Sequence, residues 1–268
     1  MSFHSDVKVV VAVPTNRYGG LDILFSSLKR QTYPSLLVMA DELRAQRLHI
    51  YEEHGFIEKT VFVENEVQSG NKRALAQAYN NMADFAVDFE FDLMVSLQDY
   101  IWIPDNGVEM FVEDYLNYPD SLITGLVSLS EAPGEDEIED ECAYYSIFKT
   151  PLIDKPEGIS WHDVRDTALY PGEPDIRACD AGHWEANWAA IPVSLLTKGI
   201  RWDLDYDRGI AYENVDFAKR CERDYGTSCV LDKRNHAYGV PHRKIWPKEE
   251  KELERYSNRW EHEKKWRQ

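Results

Sequence analysis

The sequence predicts an α/β fold with a mostly parallel central sheet and helices on both faces. The first observation is that short apolar runs alternate with segments whose apolar residues recur at helical spacing. The second is size, because 268 residues with 43% hydrophobic side chains can bury the core of one large domain or of two closely joined halves. The third is that these runs end in polar residues, and open α/β sheets bind ligands beyond the carboxyl ends of their strands.

Four strands and three helices alternate in the first part of the chain. Each predicted strand is a short apolar run, which is typical of a strand buried on both faces. The predicted strands are Val7 to Val13, Leu36 to Ala40, Thr60 to Val63 and Leu93 to Leu97. The predicted helices are Leu21 to Thr32, a segment from residue 42 to a C-cap at Gly55, and Asn71 to Phe85.

The second part of the chain has a less regular pattern. We expect helices over Val108 to Tyr118, over Ile191 to Lys198 and from Tyr212 onward, and strands at Leu122 to Leu129, Tyr144 to Phe148 and Ser228 to Leu231. A loop carrying His236 and His242 is expected to follow the last strand. Residues 131 to 141 contain seven acids and no basic residue, so their mutual repulsion predicts a mobile loop.

Composition narrows the classes of function. The formal net charge of −18 argues against a protein that coats nucleic acid or an anionic membrane with its whole surface. The charge is uneven, because residues 233 to 268 carry 11 Lys and Arg against 6 Glu. No apolar run reaches the length of a membrane span and the start of the chain is polar, so we expect a cytoplasmic protein with no membrane partner. Four cysteines without Cys-x-x-Cys spacing indicate reduced thiols.

Gln98 and Asp99 are the first polar residues past the predicted strand Leu93 to Leu97. This position predicts that Asp99 faces a ligand or a metal ion, although a strand that simply ends in a polar turn accounts for the same residues. Asp41 follows the second strand, where nucleotide-binding α/β proteins often place an acid that accepts hydrogen bonds from a ribose or base. Asp41 is also suited to capping the next helix. The chain has neither a Gly-x-Gly-x-x-Gly after the first strand nor a P-loop, which removes the main support for those two nucleotide-binding folds.

Polar and aromatic residues interleave between Ala178 and Ala190. Such a stretch suits recognition of a sugar or another polar ring by stacking and hydrogen bonding, and Trp184, Asn187 and Trp188 are the candidates. Trp184 and Trp188 are also spaced for one helical face and would then be core residues. Glu213 and Asp216 lie at the start of a predicted helix, where the helix dipole favours acids, so capping is the plain explanation for Asp216.

In their order along residues 7 to 243, these segments resemble glycosyltransferase family 2, whose members are nucleotide-sugar transferases of the GT-A type. Pro14-Thr15-Asn16-Arg17 and the helix after it are similar to the family's first βα unit. Gly70-Asn71-Lys72-Arg73 resembles its stretch beside the nucleotide. Gln98-Asp99-Tyr100 falls where the family has Asp-x-Asp, and Tyr212-Glu213-Asn214-Val215-Asp216 resembles its Glu-Asp-x-Asp motif.

The resemblance implies an enzyme that moves a sugar from a nucleotide-diphosphate sugar, with a preference for a UDP-sugar, to a hydroxyl acceptor. Residues 1 to 106 would form the nucleotide-sugar-binding half of a Rossmann-like GT-A domain, and residues 107 to 268 its acceptor-binding half with a charged C-terminal helix. The residues that the resemblance and the strand ends assign to the nucleotide are Pro14, Thr15, Arg17, Asp41, Asn71, Arg73, Gln98 and Arg243.

The resemblance also implies Mn²⁺ or Mg²⁺, but the sequence departs from the family at the metal and at the base. Asp99 is the one acid of the metal motif, and His242, or else His236, would have to complete the site. Asn214 stands where inverting members place an aspartate base, and an amide cannot accept a proton from a hydroxyl. Glu213 or Asp216 would serve instead, or the enzyme retains configuration.

The acceptor is left open by the sequence. A glycan or a small hydroxylated molecule suits the acidic surface and the aromatic cluster. A hydroxymethylated base in DNA is an alternative that the basic C-terminal segment would serve. A catalytically silent GT-A fold that binds a nucleotide sugar or glycan is the alternative from a different class.

Overall fold

The computed structural model describes residues 6–15, 20–65, 74–130, 155–208, 211–240, 258–260 and 262–266. These residues form one curled, nine-stranded mixed sheet with helices around it. The strands are β1 Val9–Thr15, β2 Leu36–Asp41, β3 Thr60–Phe62, β4 Leu93–Leu97, β5 Ile101–Trp102, β6 Leu122–Leu129, β7 Ile176–Cys179, β8 Trp188–Pro192 and β9 Cys229–Gly239. The α-helices are α1 Leu21–Leu28, α2 Arg44–Glu53, α3 Leu75–Asp88, α4 Gly107–Asn117, α5 Val193–Leu196 and α6 Glu213–Tyr225.

The first four strands lie in the order β3-β2-β1-β4 and all pair in parallel. Every residue of β1 is buried, which explains its continuous apolar sequence. Thr15 at the end of β1 pairs in register with Asp41 at the end of β2. The carboxyl ends of β1, β2 and β4 therefore meet at one edge of the sheet, as the sequence predicted.

Antiparallel pairs enter in the second part of the sheet. Strand β8 pairs antiparallel with both β4 and β6, β9 runs parallel to β6, and β5 and β7 pair antiparallel with β9. The α/β fold class is confirmed, with its longest parallel block in the first four strands. The pairing of β4 with β8 joins the two predicted halves of the chain in one sheet.

The hydrophobic core has two layers, one on each face of the sheet. Strand β1 contributes to both, because Val9, Val11 and Val13 point to one layer and Val10 and Ala12 to the other. The first layer includes side chains of α1, α2 and α4, and the second includes side chains of α3, α5 and α6. Helices on both faces were predicted from the sequence, and this arrangement is confirmed.

Two segments of the second part differ from the prediction. Residues 188–192 are strand, and the helix expected from Ile191 begins at Val193. Strand β9 continues to Gly239, so His236 lies on a strand and not in a loop. The acidic segment 131–141, the stretch 144–148 and most of the C-terminal segment lie outside the described residues. Within the described ranges, every helix is too short or too polar to cross a bilayer.

Candidate functional site

A pocket opens at the carboxyl ends of β1, β2 and β4. Its described lining residues are Pro14, Thr15, Ala40, Glu42, Asn65, Ala74, Leu75, Ala78, Gln98 and Asp99. Four residues assigned to the site from the sequence, Pro14, Thr15, Gln98 and Asp99, therefore lie together. They meet because β1 and β4 are adjacent parallel strands that end at the same edge.

Asp99 is held by a network of buried hydrogen bonds. Its Oδ2 accepts a hydrogen bond from Thr15 Oγ at 2.5 Å, and its side chain is almost fully buried. Arg47 on α2 is fully buried and donates to the same Thr15 Oγ at 3.2 Å. The Thr15 hydroxyl donates to Asp99 and accepts from Arg47, so it links the buried cation to the Asp99 carboxylate. Sequence reasoning missed Arg47, because a cation within a polar helix carries no signal that it is buried.

The Asp41 carboxylate is buried and bonded to residues of α2 and its start. It forms a buried ion pair with Arg47, accepts from the Tyr51 hydroxyl at 2.6 Å and accepts from the Leu43 amide at 2.8 Å. The side chain of Asp41 has no exposed surface. The geometry thus argues against the expected contact of Asp41 with a nucleotide, and Asp41 anchors the start of α2 instead.

Glu42 takes the place at the pocket wall that was expected for Asp41. Its Oε1 accepts a hydrogen bond from Asn65 Nδ2 at 2.9 Å, and both residues line the pocket. Neither residue was identified from the sequence. The signal was the pair of acids at the end of β2, either of which could reach a pocket at the strand ends.

Gln98 and Asn187, assigned to different parts of the site from the sequence, are directly bonded. The side-chain Nε2 of Gln98 donates to Asn187 Oδ1 at 2.6 Å. The backbone N–H of Gln98 donates to the backbone carbonyl of Asn187 at 3.1 Å. Gln98 lines the pocket at the strand ends and Asn187 lines a second cleft. This pair therefore stands between the two openings.

The second cleft has a volume of about 520 Å³, which is within the usual range for small-molecule sites. Its described lining residues are Tyr100, Val127, Leu129, Trp161, Asp163, Val164, Arg165, Leu169, Gly182, His183, Glu185 and Asn187. Trp161 is 43% exposed and Tyr100 directly follows Asp99 in sequence. Much of this wall comes from residues 161–169, which the sequence marked only as irregular.

Three titratable side chains of the cleft, those of Arg165, Asp163 and Glu185, have defined partners or a shifted pKa. Arg165 forms a buried ion pair with Asp163 at 2.6 Å and also donates to Thr124 Oγ and the Gly125 carbonyl. Burial opposes the charge on Asp163, but hydrogen bonds from Arg165 hold the pKa of Asp163 below its ordinary value. Burial raises the pKa of the Glu185 carboxyl, which the Arg165 charge opposes and the Asp163 charge reinforces. The Arg165–Asp163 ion pair, which has no net charge, thus lies beside the Glu185 carboxyl, whose pKa is raised.

Trp184 and Trp188 are core residues, and the prediction that they bind an acceptor is wrong. Both side chains are fully buried. The Trp184 indole donates to the Ile123 carbonyl at 3.2 Å, and the Trp188 indole donates to Asn235 Oδ1 at 3.0 Å. Residues four apart lie on the same side of an extended chain as well as on the same helical face, so the spacing alone did not separate the two structures.

Asp216 is fully buried and saturated with donors. Its carboxylate accepts from Arg220 at 2.7 Å, Trp266 at 3.0 Å and Tyr206 at 3.4 Å, and pairs with Lys265 at 2.8 Å. These contacts argue against Asp216 as a base. Its role is structural, but it differs from the expected capping, because the carboxylate joins the C-terminal helical residues to α6 through side-chain contacts.

Glu213, the first residue of α6, is 8% exposed and is not among the described residues that line the two clefts. It follows Ala211 and Tyr212, which both have positive φ angles. The Asn214 side chain accepts a hydrogen bond from the Trp202 indole at 3.1 Å. The first two residues of α6 are therefore buried and fixed by packing.

The His236 side chain has partners on β6 and β9. Its Nε2 is 2.8 Å from Ser128 Oγ and its ring stacks on Tyr238. Burial lowers the pKa of His236, and Asp163 is the acid that most opposes this effect. The other residues assigned to the nucleotide or metal, Arg17, Asn71, Arg73, His242 and Arg243, lie outside the described residues. Among the described residues, no group of three or more His, Cys, Asp or Glu side chains is arranged to hold a metal ion.

Comparison with solved structures identifies the fold. The TarS 1-349 structure from S. aureus has a TM-score of 0.54 with 14% identity over 87% of this chain and 60% of the TarS chain. The same fragment in complex with UDP has a TM-score of 0.50 with 14% identity over 88% and 61% of the two chains. A further TarS structure has a TM-score of 0.53 with 12% identity over 88% and 37%.

The fold is similar to that of TarS, a GT-A-type glycosyltransferase. This chain spans about 60% of the length of the TarS fragment, and at these identities the likeness shows the fold alone. No protein-family model matches the chain, and no curated protein matches it in sequence.

Proposed function

We propose that this protein is a glycosyltransferase that moves a sugar from a nucleotide-diphosphate sugar, a UDP-sugar in the first instance, to a hydroxyl acceptor. The observation that carries the proposal is the position of residues 98–100 between two openings. Gln98 and Asp99 line the pocket at the strand ends, and Tyr100 lines the 520 Å³ cleft. A transferase needs such an arrangement, because a donor and an acceptor must meet at one reacting carbon.

The pocket at the strand ends is the proposed donor site. Pro14, Thr15, Glu42 and Asn65 provide apolar contact, a hydroxyl, a carboxylate and an amide at its wall. A TarS structure of similar fold is a complex with UDP, which supports a uridine nucleotide as the ligand. We also assign Arg17, Asn71, Arg73 and Arg243 to the donor phosphates and nucleotide, on the strength of the family resemblance.

A divalent ion, Mn²⁺ or Mg²⁺, fits the chemistry of Asp99. Such an ion is commonly held by one or two carboxylates, with substrate phosphates and water completing its shell, so one carboxylate at the pocket is sufficient. His242 is a proposed further ligand. When bound, the ion would stabilise the negative charge that develops on the leaving phosphate. Thr15 holds the Asp99 carboxylate in place for this role through its 2.5 Å hydrogen bond.

Ligand-dependent thermal stability tests the donor assignment. A ligand that binds the native state at a hundred times its Kd adds about 2.7 kcal/mol of stability. We expect UDP or one UDP-sugar to raise the melting temperature in the presence of Mn²⁺, and the Asp99→Asn variant to lose the metal-dependent part of that shift. Asp105→Asn is the matched control, since Asp105 is exposed and lies outside both openings.

Transfer itself is measured by release of UDP with each UDP-sugar of the panel. Asp99→Asn is expected to abolish release while keeping the far-ultraviolet spectrum of the wild type. Wild-type rates in Asp99→Asn would refute the metal assignment. Stabilisation by a nucleotide sugar without any turnover would instead support the silent binding fold.

A further inference from the structure

The backbone of residues 185–187 is fixed to the sheet on both sides. Thr124 Oγ on β6 donates to the Glu185 carbonyl at 3.1 Å, and Ser96 Oγ on β4 donates to the Ala186 carbonyl at 2.5 Å. The backbone N–H of Gln98 donates to the backbone carbonyl of Asn187 at 3.1 Å. Three successive carbonyls are thereby anchored, so the side chains that leave this segment have defined directions.

Those directions alternate. Trp184, Ala186 and Trp188 are fully buried in the core, whereas Glu185 and Asn187 are half-buried and line the 520 Å³ cleft. This is the period of an extended chain with one face in the core and one at a cavity. The Glu185 carboxylate therefore belongs to the cleft wall, next to the Asn187 that bonds Gln98.

The surroundings of Glu185 suit a proton acceptor. The neighbouring cation Arg165 is already paired with Asp163 at 2.6 Å, so its charge is largely neutralised. Among the described residues, none donates a hydrogen bond to the Glu185 carboxylate, which leaves its oxygens available to a ligand. Burial raises the pKa of Glu185, and a carboxylate with a raised pKa is a stronger base than an exposed one.

The rest of the cleft suits a sugar ring. Trp161 is 43% exposed, and with Tyr100 it provides aromatic surface against which the apolar face of a pyranose can pack. His183 and Asn187 provide polar groups on the same wall. The Tyr170 hydroxyl accepts a hydrogen bond from the Asp180 backbone amide and lies 2.7 Å from His183 Nδ1, so these contacts fix the orientation of the His183 ring.

We propose that this cleft binds the acceptor as a carbohydrate ring against Trp161 and that Glu185 takes the proton of the attacking hydroxyl. The inference rests on the proposed transferase function and adds the acceptor class and the base. In the step, the acceptor oxygen forms a bond to the anomeric carbon of the donor sugar. The bond from that carbon to the phosphate oxygen breaks with its electron pair leaving on the nucleoside diphosphate, and the hydroxyl proton moves to a Glu185 oxygen.

The base is tested with Glu185→Gln, which keeps the shape of the side chain but cannot take up a proton. The reaction is UDP release from UDP-glucose, UDP-galactose and UDP-N-acetylglucosamine, with phenyl β-glucoside, phenyl β-galactoside or water as acceptor. General base catalysis contributes about 10²- to 10⁴-fold, so we expect a loss of that size in kcat with thermal stabilisation by UDP unchanged. The wild-type rate should fall towards acid pH as Glu185 is protonated, and the variant should lack this limb. Glu222→Gln, a change at an exposed site on α6, is the control.

The outcomes separate the two proposals. If neither UDP nor any UDP-sugar stabilises the wild type, the transferase function fails. If UDP stabilises both proteins and Glu185→Gln keeps the wild-type rate and pH profile, the donor site stands and Glu185 is not the base.

The acceptor class is tested without a donor, by saturation-transfer NMR with the two phenyl glycosides. We expect saturation of the pyranose protons in the wild type and its loss in Trp161→Ala, with binding of UDP retained. Absence of glycoside binding by the wild type, or equal binding by Trp161→Ala, would overturn the carbohydrate assignment of the cleft.

Discussion

Replacing Arg47 by methionine removes the cation at the centre of the network behind Asp99. Arg47 is fully buried, pairs with Asp41 and donates to Thr15 Oγ at 3.2 Å. Methionine keeps much of the length and apolar volume of the side chain but leaves the Asp41 carboxylate buried without its cation. Breaking a buried pair by removing one partner costs about 3–5 kcal/mol, and we expect a loss of that size in the free energy of unfolding.

Urea denaturation measures this loss, and a double variant shows its origin. In Arg47→Met the Asp41 carboxylate keeps hydrogen bonds from Tyr51 and the Leu43 amide, which places the expected cost at the lower end of the range. Adding Asp41→Asn removes the unpaired charge, so the double variant should be more stable than Arg47→Met alone.

Two results would refute this reasoning. One is a loss below about 1 kcal/mol in Arg47→Met, which is the size of the contribution from an exposed ion pair. The other is a double variant whose loss equals the sum of the two single losses, since independent sites show no coupling.

Three further changes have defined expectations. Trp188→Ala should destabilise the fold by about 3–5 kcal/mol in urea denaturation, because a fully buried indole and its bond to Asn235 are lost. Burial and the adjacent Asp232 raise the pKa of Asp114 to about 8, so this carboxyl favours folding while protonated, and its contribution is lost as pH rises from about its ordinary 3.8 through about 8. Asp114→Asn should therefore flatten the fall in stability over that pH range, and an unchanged pH profile would contradict the shift. Ala211→Gly should stabilise the protein by about 1 kcal/mol in thermal denaturation, because Ala211 has a φ of 71° and glycine adopts that region without a steric penalty; a destabilised variant would contradict this.

The first part of the fold could be predicted because its strands are buried on both faces. In β1 and β4 every residue is apolar or small, so the strand and its end are visible in the sequence, and with the end comes the position of Thr15 and Asp99. In strand β9 the bounds of the strand are not visible in the sequence in this way. It contains buried Asp232 and Asn235, whose polarity suggested a loop. Asp232 accepts from Arg234, two residues along the same strand, whereas Asn235 is satisfied by Trp188 and the Gly107 carbonyl, which are distant in sequence.

The site was predictable only where strand ends fix it. The sequence located the pocket wall at Pro14, Gln98 and Asp99, but chose Asp41 over Glu42 because it did not show which acid pairs with Arg47. The wall of the second cleft was not predictable. Trp161 and Arg165 come from a segment without periodicity, and their placement depends on contacts with β6, such as the pairing of Trp161 with Leu129.

The motif at the start of α6 is used here to assemble the fold. Asp216 bonds Trp266 and pairs with Lys265, while Asn258 donates to the Ala211 carbonyl that precedes α6. The C-terminal residues thus hold the turn with positive φ angles in place. With Asp216 saturated and position 214 occupied by an amide, Glu213 is the remaining carboxylate of the acidic motif, and it is 8% exposed and outside the described lining of both clefts. We therefore favour Glu185 as the proton acceptor, because it lines the same cleft as Tyr100, the residue that follows Asp99.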